Sequence, residues 1–344
     1  MKLWLKSTLS AAILAASTLG AQAAETVRLQ GFGVNLISMP QLYAETFGLF
    51  EKNGVNFTTV APIFNTAGIM QSVITGAADF AYTGATSIVP VVAQGRQLKI
   101  VAVIAEGMEL KLTLTKAASD KLAARGITAA SPLKDRMLAL KGLTIAAPAT
   151  GSTTYQGLVY ELKKNGVDPV KDVVIQPISD MGAQIAAMRQ GVVDGMFGTV
   201  GAGIGEVEAN GGVRFIAFEN EDPGLASLPW NVLIVSDDYL KKNEAAVKGV
   251  LAAFAEAKAA IKRGLTADEL AKVKAKYFPD MKPESYKLIL DSSMKQLTAG
   301  NIVGTRLQFD TLLEMGNAAS EAPLKVTYEQ VFDNRIAEMV VKSK

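Results

Sequence analysis

The chain of 344 residues contains neither cysteine nor histidine. Without cysteine it can form no disulfide, thiolate metal site or cysteine nucleophile, and it offers no N-terminal cysteine for a lipid anchor. Without histidine it lacks the commonest general base, and a serine triad would have no imidazole. Catalysis would have to rest on carboxylates, lysine or tyrosine, and no acidic pair is spaced to suggest that. We therefore predict a protein that is not an enzyme and that holds no cofactor and no metal.

Long apolar runs are also missing, apart from one short run near the N-terminus. Lys2 and Lys6 precede the apolar segment Leu9–Leu19, and Ala21-Gln22-Ala23 has the small-x-small pattern of a cleavage site. Residues 1–23 are therefore predicted to be a secretory signal peptide. The alternative is an uncleaved anchor, although the run is too short to span a bilayer. We predict a soluble protein in a Gram-negative periplasm, released rather than lipid-anchored.

An excess of either charge is absent as well. Removal of residues 1–23 takes away two lysines and no acidic residue, which leaves 33 basic and 33 acidic residues. A net charge of zero predicts neither nucleic acid nor an anionic membrane as a partner. It is compatible with a monomer. The mature length of about 320 residues would fill two domains of about 150 each.

What the chain does contain is an internal repeat. Lys52-Asn53-Gly54-Val55 returns as Lys164-Asn165-Gly166-Val167. A second marker follows each copy in the same order, Gly76–Phe80 after the first and Gly191–Gly195 after the second. Two similar half-molecules predict two similar lobes with a cleft between them.

Strands alternate with helices in both halves, which predicts an α/β protein with two doubly wound lobes and parallel sheets. Within this pattern we expect single helices over Pro40–Lys52 and Lys241–Arg263. Apolar strands near Ile104–Leu112 and Leu228–Val235 are predicted to carry the chain between the lobes as a hinge of two segments. The first lobe would then comprise residues 24–107 and 233–344, and the second lobe residues 108–232.

Two loops suit a ligand, because each combines hydroxyl groups with a helix N-terminus. Pro148–Thr154 lies between a strand and a helix, and Thr83–Ser87 is its counterpart in the first half. The N–H groups at such an end favour a carboxylate, sulfonate or phosphate, and ligands of open α/β sheets bind beyond the carboxyl ends of the strands. Ordinary helix capping is the alternative for each loop. The candidates from these loops are Thr83, Gly84, Thr86, Ser87, Gly151, Ser152, Thr153 and Thr154.

Five further residues could reach the cleft. Phe32, Asn35 and Ser38 follow the first strand, although Phe32 could equally be part of the core. Asp180 could contact an amine, but its correspondence to Asn65 favours a helix cap. Trp230 falls at the second crossing and could pack there or cover a ligand.

The motifs resemble one known family. Gly31-Phe32, then Gly48–Val55, then Gly76–Phe80 are similar to the nitrate/sulfonate/taurine-type substrate-binding proteins of ABC importers, a group that also includes binders of thiamine pyrimidine precursors. Leu140–Ile145 running into Gly151–Thr154 is similar to the second-lobe motif of that family. The resemblance covers residues 25–235 well and the helical tail loosely.

The resemblance implies a type II periplasmic binding fold that closes on its ligand and docks on a membrane permease driven by a cytoplasmic ATPase. It also implies ligand contacts from Thr83–Ser87 and Gly151–Thr154. Pyrimidine synthases of the same fold consume a histidine of their own chain, and this chain has none. The donors favour a small organic anion, whereas Asp180 and Glu106 would favour an amine or an aminopyrimidine if they face the cleft. An enzyme on this fold and a sensory receptor remain alternatives.

Overall fold

The computed structural model describes residues 25–63, 65–150, 152–178, 180–199, 207–208 and 211–343, and the side chain of Met181 is outside this description. The predicted signal peptide and Gly151 therefore lie outside the described residues. The described part forms strands and helices that alternate along most of the chain. The strands are β1 Glu25–Gln30, β2 Val55–Thr59, β3 Phe80–Gly84, β4 Leu98–Glu106, β5 Leu110–Leu114, β6 Thr144–Ala147, β7 Val174–Pro177, β8 Gly195–Thr199, β9 Val213–Ala217 and β10 Pro229–Ser236.

The helices connect these strands in the first two-thirds of the chain and follow one another in the last third. They are α1 Met39–Thr46, α2 Leu49–Lys52, α3 Thr66–Ile74, α4 Ile88–Ala93, α5 Lys116–Ala123, α6 Leu133–Leu138, α7 Thr153–Lys164, α8 Met181–Arg189, α9 Pro223–Ser227, α10 Asp237–Lys242, α11 Glu244–Arg263, α12 Ala267–Tyr277, α13 Pro283–Thr298, α14 Arg306–Ala319, α15 Tyr328–Val331 and α16 Arg335–Lys342. Short 3-10 turns occupy Leu36–Ser38 and Phe218–Asn220.

The strands form two five-stranded sheets with the same plan. The orders are β2-β1-β3-β10-β4 and β7-β6-β8-β5-β9. In each sheet one strand is antiparallel to its neighbours: β10 runs against β3 and β4, and β5 runs against β8 and β9. The predicted parallel pairing is confirmed for β1 with β2 and β3 and for β6 with β7 and β8, but it is wrong for β5 and β10, because each sheet receives one strand from the chain as it crosses from the other sheet. The chain crosses at residues 107–109 and again at residues 218–228.

Two helices predicted as continuous are interrupted. Gly48 separates α1 from α2 because its φ of 63° is in the left-handed region, which glycine adopts without steric cost. Asn243 separates α10 from α11, and its side chain donates a hydrogen bond to the carbonyl oxygen of Tyr239 at 3.2 Å. Such a side-chain bond to the backbone competes with helix continuation.

The repeat seen in the sequence is a repeat of structure. Asn53 Nδ2 donates to the carbonyl of Leu49, and Asn165 Nδ2 donates to the carbonyl of Glu161, at 2.8 and 2.9 Å. In both copies the next residue is a glycine with a φ of 79°, so each helix ends in the same turn.

The second marker of the repeat, which contains Asp79 in one half and Asp194 in the other, makes the same strand contact in both halves. The carboxylate of Asp79 accepts the backbone N–H of Arg28 at 2.8 Å, and that of Asp194 accepts the backbone N–H of Thr144 at 2.9 Å. Each aspartate N–H donates back to the same residue's carbonyl. These bonds join one parallel strand to the residue that directly precedes the next parallel strand, so both aspartates are structural.

Apolar side chains fill both faces of the first sheet. Leu29 and Tyr82 pack with Phe254 of α11 on one face, while Ala81 on the other face belongs to a cluster that continues to Leu112 and Phe197 of the second sheet. The two sheets therefore share a continuous apolar core beside the crossings. This core fixes where the carboxyl ends of the strands lie.

A buried polar cluster fastens α7 to α9 and α14. Tyr160 donates to Glu314 at 3.0 Å, and the ammonium of Lys164 lies 2.5 Å from Asp222. Glu161 is fully buried, and its Oε1 finds no donor among the described residues. Burial, together with a hydrogen bond to Asp222, raises the pKa of Glu161 to about 8. The neutral carboxyl group can then donate that bond to Asp222.

This pKa shift predicts a pH-dependent stability. The folded protein holds a proton that unfolding releases between the ordinary pKa of 4.5 and about 8. The contribution of Glu161 is complete below pH 4.5, falls by at most about 1.4 kcal/mol per pH unit and is lost above about pH 8. Glu161→Gln should match the wild type at pH 5 and melt roughly several degrees higher at pH 9 in thermal unfolding. The exposed Glu338→Gln is the control, and an equal difference at both pH values would refute this assignment.

Candidate functional site

The two hydroxyl-rich loops predicted from the sequence meet in the structure. One follows the carboxyl end of β3 and the other leads from β6 into α7. Thr86 Oγ1 and Thr153 Oγ1 lie 2.9 Å apart and are hydrogen-bonded. Because Thr86 belongs to the loop after the first sheet's β3 and Thr153 to the helix after the second sheet's β6, this contact marks the cleft between the sheets.

Gly84 of β3 lies close to the N-terminus of α7. A Cβ atom built at Gly84 would lie 3.4 Å from Thr153 Oγ1 and 3.8 Å from the carbonyl oxygen of Trp230. A methyl group would fit in ordinary contact, but a branched side chain would overlap Thr153. The glycine therefore lets the helix N-terminus reach the strand.

The N-terminus of α7 presents donors without a charged cap. Ser152 Oγ accepts the N–H of Tyr155 at 3.1 Å, so the hydroxyl oxygen has the capping role that the alternative interpretation assigned to it. The N–H groups of Thr153 and Thr154 lie in the first turn, where no earlier helical carbonyl can accept them. With the positive end of the helix dipole, they favour an anion.

Asp180 occupies the corresponding position at α8 and differs in charge. Its Oδ1 accepts the N–H of Ala183 at 2.7 Å, just as Asn65 Oδ1 accepts the N–H of Gly68 at 2.7 Å in α3. The capping interpretation of Asp180 is therefore confirmed. Since its carboxylate already satisfies the helix terminus, α8 offers a poorer site for an anion than α7 does.

In the segment after β1, the polar side chains form hydrogen bonds mainly with other residues of the same segment. Asn35 Oδ1 accepts the backbone N–H and the hydroxyl of Ser38 at 3.0 and 3.1 Å. Phe32 and Ser38 line a cavity of about 220 Å³ whose wall includes Tyr82. This cavity lies on the first sheet beside β3, so Phe32 and Ser38 stay candidates for the cleft.

A larger pocket runs along another side of α7. Its volume is about 840 Å³, and its lining includes Tyr155, Val159 and Ala318 but neither Thr86 nor Thr153. Thr150 of the second loop lines this pocket, but the pocket lies apart from the contact between Thr86 and Thr153 at which the two loops meet.

The other predicted residues are placed differently from one another. Thr83 is fully buried, its hydroxyl has no partner among the described residues, and it lies opposite the core residue Val232. Ser87 is half-buried ahead of α4. Trp230 packs against both large core clusters, which supports its packing role at the crossing.

The charged groups near the crossings are paired within the protein. Burial raises the pKa of Glu106, which accepts a hydrogen bond from Gln308 at 2.5 Å. Burial lowers the pKa of Lys258 to about 8, and its ammonium donates to the carbonyls of Ile104 and Ala299 at 2.7 and 3.1 Å. Among the described residues, no group of three or more acidic side chains could hold a metal ion.

One cleft residue was missed from the sequence. Asn231 lies in β10 directly opposite Gly84, it is 5% exposed, and its Oδ1 has no hydrogen-bond partner among the described residues. Asn231 is the one amide among the residues of β10, but its place opposite Gly84 depends on the register of two strands, which the sequence does not give.

The chain was then compared with known proteins. The model of the NMT1-like family matches residues 20–275. The chain belongs to the NMT1-like family. This membership confirms the resemblance inferred from the motifs. A search of curated protein sequences gave no significant match.

Solved structures agree with this family on the fold. The protein named as the periplasmic sulfonate-binding protein SsuA from Methylobacillus flagellatus KT is 16% identical, with a TM-score of 0.70 over 93% of this chain and 95% of that one. The periplasmic nitrate-binding protein NrtA from Synechocystis PCC 6803 is 14% identical, with a TM-score of 0.60 over 93% and 89%. DszB in complex with biphenyl-2-sulfinic acid is 12% identical, with a TM-score of 0.59 over 93% and 100%. The NMT1-like chain therefore has the periplasmic binding protein fold, as predicted.

Two properties bear on how an NMT1-like chain with this fold would act. The structural neighbours are mostly binding proteins, although the enzyme DszB shares the fold. In the part of the chain that the structure describes, no helix is long and apolar enough to cross a membrane.

Proposed function

We propose that this protein is the solute-binding receptor of an ABC importer and that it binds a small organic anion, a sulfonate or a carboxylate, in the cleft between its sheets. The observation that carries the proposal is the convergence of Thr86, Thr153 and the N-terminus of α7 at the carboxyl ends of β3 and β6. Hydroxyl and N–H donors at a helix N-terminus are the groups that bind such anions. The names of the sulfonate-binding and nitrate-binding neighbours support an anion as the ligand.

The remaining parts of the proposal concern organisation and location. The lobes are residues 24–107 with 233–344, and residues 108–232, joined by the two crossings. Residues 1–23 direct the chain to the periplasm of a Gram-negative cell, where the closed, ligand-bound form docks on a permease. The anion contacts both lobes only when they are closed, so it stabilises the closed state by its differential affinity.

An aminopyrimidine ligand is less well supported by the contacts. The two carboxylates that would bind an amine have protein partners, because Asp180 caps α8 and Glu106 bonds to Gln308. An enzymatic function has one specific observation in its favour, the fold shared with DszB. The absence of histidine and cysteine from the sequence argues against it.

A thermal-shift screen of the mature protein tests this proposal. The panel comprises alkanesulfonates, taurine, nitrate, aromatic carboxylates and thiamine pyrimidines. A ligand at 100 times its Kd adds about 2.7 kcal/mol of stability, which corresponds to an increase in Tm of several degrees. We expect an increase with anions only. An increase in Tm with pyrimidines only would contradict the proposal that the ligand is an anion. Turnover of a bound compound, detected by mass spectrometry, would contradict the proposal that the protein is a receptor.

A matched pair of variants locates the site. Ser152→Ala and Thr115→Ala each remove a helix N-cap, of α7 and of α5, and each should cost about 1 kcal/mol of stability. Because α5 follows β5, which is antiparallel to β8, α5 begins at the end of the second sheet opposite to the carboxyl ends of its parallel strands. Only Ser152→Ala should weaken anion binding, by about tenfold. Equal affinities in the two variants would exclude the N-terminus of α7 as the site.

A further inference from the structure

The oxygen of one buried side-chain amide beside the N-terminus of α7 has no hydrogen-bond partner among the described residues. Asn231 is 5% exposed, and no donor among the described residues reaches its Oδ1. A buried polar group without a partner is destabilising, and most such groups in native proteins are hydrogen-bonded. An unpaired amide at a strand's end beside a cleft therefore needs an explanation.

The register of the strands determines which way this amide faces. Asn231 of β10 is paired with Gly84 of β3 in antiparallel fashion. Directly opposite residues of an antiparallel pair carry their side chains on the same face, with Cβ atoms about 5 Å apart. The missing Cβ of Gly84 would point to within 3.4 Å of Thr153 Oγ1. Asn231 thus shares its face of the sheet with the N-terminus of α7.

The neighbouring unpaired hydroxyl does not share this position. Thr83 is opposite Val232, one residue along each strand, so its side chain projects from the other face of the sheet. Its neighbours on that face, Ala81 and Val232, belong to the apolar core. Tyr82 and Leu233 on the face of Asn231 are core residues as well, so the approach of Gly84 to Thr153 is what distinguishes the position of Asn231 from that of Thr83.

We propose that Asn231 is a specificity residue of the anion site: its amide oxygen accepts a hydrogen bond from a hydroxyl or amino group that the ligand carries two or three bonds from its anionic group. This inference rests on the proposed function, since it assumes that the anion lies at the N-terminus of α7. It narrows the ligand to an anion with a hydrogen-bond donor, such as a hydroxylated or aminated sulfonate or carboxylate.

Paired ligands that differ only in the donor test this inference. Calorimetric titrations would compare 2-hydroxyethanesulfonate and taurine with ethanesulfonate, and lactate with propionate, on the wild type and on Asn231→Leu. The wild type should bind the donor-bearing member of at least one pair at least tenfold more tightly, because a ligand without it leaves the amide unpaired. Asn231→Leu should bind both members of that pair within about twofold of each other.

A second readout separates a binding role from a structural one. Because the leucine replaces a buried amide whose oxygen has no partner among the described residues, ligand-free Asn231→Leu should melt at or above the wild-type temperature. A lower Tm combined with retained discrimination would overturn the inference and show that Asn231 is structural. Equal wild-type affinities within every pair would overturn it while leaving the anion site intact. Binding of no compound at all by the wild type would overturn the proposed function together with it.

Discussion

Gly84→Val should weaken anion binding by about 10- to 100-fold while the ligand-free protein melts close to the wild-type temperature. The Cβ position of Gly84 already lies 3.4 Å from Thr153 Oγ1, so the methyl groups of valine would overlap the N-terminus of α7. Overpacking of this kind costs about 1–3 kcal/mol, and about 1.4 kcal/mol corresponds to a factor of ten in Kd. The cost arises only when the lobes are together, which is the state that the ligand requires.

Gly84→Ala is the control for this prediction. Its single methyl group stays at an ordinary contact distance, so its affinity should remain within a few-fold of the wild type. Titration calorimetry of both variants with the same anion checks the comparison. If Gly84→Val bound as tightly as Gly84→Ala, the approach of α7 to β3 would have no part in ligand binding.

Lys111→Met should be the most destabilising single change at the crossings. Lys111 follows the first crossing, and its ammonium lies 3.1 Å from Glu219 in the second crossing and 3.4 Å from Glu109. The side chains of Lys111 and Glu219 are only 7% and 8% exposed. Removing one partner of such a buried pair costs about 3–5 kcal/mol because the other charge is left uncompensated. We expect the Tm to fall by roughly 6–15 °C in thermal unfolding.

The double variant Lys111→Met with Glu219→Gln distinguishes the loss of the ion pair from the loss of the other contacts of Lys111. Removing the carboxylate as well takes away the uncompensated charge, so the double variant should recover part of the lost Tm. A Tm for Lys111→Met within about 2 °C of the wild type, which corresponds to about 1 kcal/mol or less, would show that the ion pair does not hold the crossings together.

The two-lobed fold could be predicted from the sequence because the same turn and strand-start motifs occur in both halves of the chain. The Asn-Gly pairs at Gly54 and Gly166 and the aspartates Asp79 and Asp194 form equivalent turns and equivalent strand contacts. The antiparallel strand in each sheet could not be predicted in this way. It depends on how the crossings return the chain to each sheet, and β5 and β10 are almost entirely buried, as parallel strands of such sheets are.

The two loops of the candidate site could be predicted from the sequence, but the contact between them could not. Hydroxyl-rich segments before helices indicated Thr86 and Thr153, because their local sequence signals a helix N-terminus. The contact between the two depends on the packing of one sheet against the other, which no local pattern encodes. Asn231 could not be predicted as a site residue for a similar reason, since only the register of β10 against β3 places it opposite Gly84.

The most direct test of the central claim measures the distance between the lobes. The chain has no cysteine, so Gln71→Cys in α3 and Ala186→Cys in α8 introduce a unique pair of exposed labelling sites at equivalent positions of the two repeats. Fluorescence energy transfer between the labels would be followed while each anion of the panel is added. Our account predicts that at least one anion shortens the distance in a saturable way and that Gly84→Val moves the midpoint of the change to an anion concentration about 10- to 100-fold higher. A constant distance, with an anion that calorimetry shows to be bound, would contradict closure of the two lobes on a ligand between them.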